Sequence, residues 1–122
     1  MIEYNCGTLF YDAWCGRSFY SDLNKIKHQV NLLNQMMIEE ENQSFKNGAV
    51  TLNDFYKFIG LEETKAGQNL VWRIWKEGII ELKIEKKIIN SQRHLVIDFV
   101  TPPAYLPTWI VEDILKRRKE HA

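Results

Sequence analysis

At 122 residues the chain is long enough for one domain with a real core. Its 45% apolar and 12% aromatic content excludes a disordered segment. Sixteen basic and sixteen acidic residues leave no net charge, so the surplus that usually marks capture of nucleic acid or anionic membrane is missing. Residues 1–10 have neither the basic opening nor the apolar run of a signal peptide, and no segment nears the roughly 20 apolar residues of a membrane span. The expectation is a soluble, cytosolic protein.

Residues 1–20 form an aromatic lead, with Tyr4, Phe10, Tyr11, Trp14, Phe19 and Tyr20 and little helical periodicity. It reads either as a segment crossing the core or as an arm that docks on a partner. Cys6 and Cys15 fall within it. In the cytosol they should be reduced, part-buried thiols, and without clustered histidines they make no zinc site. A cysteine nucleophile would need His28 or His94 beside it.

Residues 21–69 read as helical. Ser21 or Ser18 can cap a long helix running to about Ser44, with Leu23, Ile26, Val30, Leu33 and Met37 as one apolar stripe. Asn24, Lys25, Lys27, His28, Asn31, Asn34 and Gln35 occupy the other side. Glu39, Glu40 and Glu41 end it with charge unfavourable to the helix dipole. Thr51 and Asp54 form a capping box ahead of Leu52, Phe55 and Ile59, and Gly60 stops that second helix. Thr64 begins a further short turn.

From Leu70 the period becomes two. Leu70, Trp72 and Ile74 alternate with Val71, Arg73 and Trp75; Ile80, Leu82 and Ile84 with Glu81, Lys83 and Glu85; a third run carries Leu95, Ile97 and Phe99. With a tight turn at 76–78 and a polar turn over 86–92, residues 70–100 predict a three-stranded antiparallel meander. Its second face is unusually apolar, and Val71, Arg73, Trp75, Ile79, Val96 and Val100 are the candidate partner-binding surface. Pro102 and Pro103 break the sheet, and a C-terminal helix spans 107–119. Its run Lys116, Arg117, Arg118 and Lys119 is a candidate basic patch, or simply complements the helix dipole.

The predicted fold is therefore α+β: a long N-terminal helix and short helices on a meander, closed by a C-terminal helix. The alternative is a winged helix, with residues 51–59 and 66–76 as a helix-turn-helix binding DNA. No phosphate loop, HExxH, GxSxG or paired CxxC is present, so neither catalytic residues, nor a metal, nor a cofactor is expected.

The stretch LNDFYKFIGL followed by TKAGQNLVW resembles an uncharacterised family of phages of Gram-positive bacteria, a domain of unknown function. Leu52, Asn53, Tyr56, Gly60, Thr64, Gly67 and Trp72 match its pattern, as do 79–82 and 95–98. Val71 departs, standing where the family usually has glycine. The resemblance covers about Asp22 to Asp98 and implies phage origin and a fold, without a mechanism. Many members look membrane-anchored at an N-terminal part that this chain lacks. The expected function is a non-enzymatic protein–protein interaction module in phage assembly or an accessory role. The alternatives are an inhibitor of a host enzyme or defence system and a DNA-binding regulator. Another protein, phage or host, is the expected partner, with a homodimer as an option; membrane and nucleic acid are not. The expected location is the host cytoplasm, with virion association as an option.

Overall fold

The computed structural model describes residues 7–42 and 48–120, with side chains described as far as Lys116. It is α+β, with three helices and two sheets. β1 (Thr8–Asp12) and β2 (Arg17–Ser21) form a hairpin, followed by α1 (Leu23–Glu40). β3 (Ala49–Thr51) leads into α2 (Leu52–Ile59), a 3-10 turn (Ala66–Asn69) and β4 (Leu70–Arg73). β5 (Leu82–Ile89) and β6 (Gln92–Phe99) form a second hairpin, and β7 (Ala104–Tyr105) precedes α3 (Thr108–Glu120). One sheet has the order β2-β1-β6-β5, the other β3-β4-β7.

Local chemistry explains α2 completely. The Thr51 hydroxyl accepts from Asp54 N–H at 3.1 Å while the Asp54 carboxylate accepts from Thr51 N–H at 2.9 Å. This closes the reciprocal capping box. Gly60 then takes a left-handed φ of 84° and ends the helix. α1 buries Ile26, Val30, Leu33 and Met37 as its spacing predicts. Its cap is Asp22, whose carboxylate accepts from Asn24 and Lys25 N–H. Ser18 and Ser21, the predicted caps, belong to β2. The helix is described to Glu40 with a further turn at 41–42; the remainder of the predicted span to Ser44 lies outside the described residues.

Several expectations are corrected or refined. The aromatic lead is not a projecting arm: it lies across the core, with Phe10, Trp14 and Phe19 packed into it, and from Thr8 it supplies half of the four-stranded sheet, with β1 parallel to β6. Phe10 is buried and stacks on Phe19 at 5.5 Å. Tyr4 lies outside the described residues.

The meander does not form. β5 and β6 pair antiparallel, but β4 pairs with β3 and β7 in the other sheet. Side chains take the backbone groups that a β4–β5 ladder would have used. Arg73 N–H donates to the Glu77 carboxylate at 2.8 Å. Ile80 N–H donates to Asn34 Oδ1 at 2.8 Å, and Asn34 Nδ2 donates to the Ile80 carbonyl at 2.9 Å. Asn34 is thus buried, although the helix period placed it on the polar side. Nor is there a polar turn over 86–92: both strands run on to a two-residue turn, where Asn90 and Ser91 have φ of 50° and 65°. Positive φ at both central positions matches the twist of a tight hairpin.

The helix-turn-helix is absent as well. Residues 66–76 comprise one 3-10 turn, a strand and a turn, so no second helix exists to enter a groove.

The main core joins α1, α2 and both sheets through Phe10, Leu33, Phe55, Trp72, Ile97 and Phe99. A smaller cluster of Ala49, Val71, Leu106 and Val111 seats α3 against β4.

Candidate functional site

The six residues of the predicted surface do not share one face. Val71 is fully buried in the α3 cluster. Val96 is buried in β6, flanked by Tyr11 of β1 and Glu85 of β5. The strand period correctly turns both away from the main core, but it cannot report covers that come from distant elements. Arg73 is half-buried and held by Glu77 through Nε at 3.0 Å and Nη2 at 2.7 Å. The paired bonds to Glu77 hold the guanidinium's pKa even higher than usual against an opposing cost of burial. Burial pushes the Glu77 carboxyl up, but the Arg73 bonds outweigh it and hold it below the usual carboxylate range.

Trp75, Ile79 and Val100 remain 50%, 44% and 56% exposed. Trp75 is not on a strand; it sits in the turn fixed by Lys76 and Gly78 N–H donating to the Arg73 carbonyl. Ile79 follows in the same connection. Val100 closes the neighbouring hairpin, donating to the Glu81 carbonyl at 2.9 Å. The ion pair therefore stiffens the segment that carries Trp75 and Ile79. Of the predicted basic patch, Lys116 is exposed, and the side chains of Arg117, Arg118 and Lys119 lie outside the described residues.

A groove of about 400 Å³ at the tip of the β5–β6 hairpin escaped the sequence reading. Ile88, Arg93 and Leu95 help to line it, together with Lys86. The signal was available: Lys86 and Ile88 continue the alternation of β5, and Arg93 that of β6, through residues that composition alone assigns to a turn.

A polar cluster surrounds Tyr56. Its ring lies 4.4 Å beneath the Arg17 guanidinium, and its hydroxyl stands 2.9 Å from Cys15 Sγ. Burial, then bonding to Cys15 and Asp12, raises the phenol's pKa far above its usual value and keeps it protonated. Asp12 is buried, accepting from Trp14 N–H at 3.0 Å and pairing with Arg17 at 3.5 Å. Cys15 itself is exposed rather than part-buried and carries a free thiol; Cys6 lies outside the described residues. His94 bonds Ser18 and the Gln92 carbonyl, and His28 lies exposed on α1, so neither histidine activates Cys15. Among the described residues no group of three or more His, Cys, Asp or Glu side chains could hold a metal ion. Nor is any helix among them long and apolar enough to cross a membrane.

The residues that carry the family resemblance serve the fold. Asn53 donates to the Thr64 carbonyl and accepts from Thr64 N–H, both at 2.9 Å. The Thr64 hydroxyl accepts from Gly67 N–H at 3.0 Å. Gly67 is required because a Cβ there would overlap the Asn53 amide. Trp72 is fully buried and donates to the Thr101 carbonyl at 2.9 Å.

No curated protein and no solved structure matches the chain. One family model does, over residues 1–107, which takes in the β1–β2 hairpin, the Asn53–Thr64–Gly67 bracket and Trp72. On that match the chain belongs to DUF6353, a family of unknown function.

Proposed function

We propose that the protein is a small, non-enzymatic protein–protein interaction module of phage origin, acting in assembly or in an accessory role in the host cytoplasm. The observation that carries this reading is the exposure of Trp75 and Ile79 on the connection held by the Arg73–Glu77 ion pair, with Val100 also exposed at the end of β6. Large apolar side chains on a stiffened turn lose little conformational entropy on binding, and tryptophan dominates interface hot spots. Inhibition of a host enzyme or defence component by direct binding would use the same surface.

Affinity purification of the tagged protein from infected host cells tests the reading. The expected result is a protein that co-purifies with the wild-type chain and is lost with Trp75→Ala and with Ile79→Ser. Its identity separates the roles: a virion protein means assembly, a host enzyme or defence protein means inhibition. Co-purification of nucleic acid alone, or a protein set unchanged by both substitutions, would overturn the surface.

A further inference from the structure

Among the described residues, the four-stranded sheet extends beyond its cover at one end. Along β6, burial falls from Phe99 and Ile97 through half-buried Leu95 to exposed Arg93. Its partner β5 runs the same way, from half-buried Leu82 and Ile84 to exposed Lys86 and Ile88. Register sets Lys86 against Leu95 and Ile88 against Arg93, so these four side chains rise from one face of the hairpin. Further along, the same face carries the core. With Thr8 and Leu9 of β1, and with Lys87 and His94, they line the groove of about 400 Å³.

Its chemistry is mixed in one sense only. Ile88 is 73% exposed, on the same face as the apolar Leu95. Lys86, Lys87 and Arg93 add three cations, and no aspartate or glutamate lines the groove. Among the described residues Lys86 and Arg93 are not ion-paired, whereas Lys87 pairs with Glu85. In a chain with equal numbers of acids and bases, this is a local excess of positive charge next to uncovered apolar surface.

We propose that the groove binds an extended acidic peptide segment of a partner protein. A carboxylate of that segment pairs with Arg93 and Lys86, and a neighbouring apolar side chain lies on Ile88 and Leu95. The Arg93 guanidinium offers the planar fork that carboxylates accept in two parallel bonds. A free small acid fits less well, because a groove that leaves Ile88 so exposed cannot enclose most of a small ligand. A peptide gains further backbone bonds from the outer edge of β5, the last strand of its sheet. Nucleic acid would use the cations but leave Ile88 and Leu95 uncovered. The site is separate from Trp75 and Ile79, which lie in the connection before β5, whereas the groove lies at the far end of β5 and β6.

The test titrates the isotope-labelled full chain with an acetylated, amidated hexapeptide alternating leucine and glutamate, and with its glutamine counterpart. Amide shifts should concentrate at residues 8–9, 86–88 and 93–95. Glutamine for glutamate in the peptide should weaken binding at least about tenfold, as should Lys86→Gln with Arg93→Gln in the protein. Lys86→Glu with Arg93→Glu should instead select a leucine–lysine hexapeptide, which an unfolded variant would not do. Trp75→Ala should leave peptide binding unchanged, so failure here and failure of the Trp75 surface are distinguishable. Equal binding of the glutamate and glutamine peptides would overturn the proposal. So would shifts centred elsewhere, no saturation at millimolar peptide, or complete displacement by a random DNA duplex.

Discussion

Asn53 does the work of a short strand with one side chain. It satisfies both backbone groups of Thr64, and Gly67 leaves room for it. Asn53→Ala strands an N–H and a carbonyl in a part-buried site, and should cost about 2–4 kcal/mol in urea denaturation. Gly67→Ala displaces the same amide, so the double variant should fall well short of the summed losses. Arg73 and Glu77 make a second residue-scale test through pH. The Glu77 carboxyl lies below its usual range in the folded chain. Its pairing therefore adds stability that is fully present above the ordinary glutamate pKa of about 4.3 and is lost as pH falls through the lowered folded value. Glu77→Gln should flatten that acid limb and cost about 1–3 kcal/mol at neutral pH. Denaturation curves at several pH values, wild type against variant, decide it.

Among the elements, α3 is held differently from the rest. It is seated on Ala49, Val71 and Leu106, a cluster apart from the main core, and it lies beyond the residues that the family model matches. Val71 fills that seat. Val71→Gly should release α3 without melting the main core, seen as faster amide exchange at 108–120 with α1 still protected. The β5–β6 turn offers the opposite sign. Ser91 holds a φ of 65°, so Ser91→Gly should stabilise the hairpin by about 0.5–1 kcal/mol in thermal unfolding. Elements set by adjacent residues were legible in the sequence: α2 from its box and Gly60, the buried stripe of α1, the alternation of β5 and β6. Elements set by distant partners were not. The parallel contact of β1 with β6 spans most of the chain, and the loss of the meander depends on Asn34 reaching Ile80 across 46 residues. The candidate surface follows the same division. Trp75, Ile79 and Val100 are open, but they lie outside the strands on which the alternation placed them, while Val71 is closed by the α3 cluster and Val96 is buried between β1 and β5, which alternation cannot foresee.

For the molecule as a whole, the question is what joins the two sheets, and Trp72 is central to it. It belongs to β4 of the small sheet, yet its ring meets Phe99 of the large sheet edge-on at 4.7 Å, and its indole N–H donates to the Thr101 carbonyl just past β6. Phe99 also meets Phe55 of α2 at 5.1 Å, so one aromatic run connects a helix and both sheets. Trp72→Ala removes a fully buried side chain from that joint and should cost about 3–5 kcal/mol, a large share of a small domain's stability. Trp72→Phe keeps a ring and removes the donor, leaving the Thr101 carbonyl without it and creating a smaller void; about 1–3 kcal/mol is expected. Trp75 lies three residues on, 50% exposed in the turn, and Trp75→Ala should cost less than about 1 kcal/mol while weakening partner capture. Denaturation of the three variants with one binding assay separates the roles. If Trp75→Ala destabilised the chain as much as Trp72→Ala, the turn would belong to the joint and the exposed surface would be lost as a binding site. If Trp72→Ala left both sheets cooperative and stable, the aromatic run would not be what joins them.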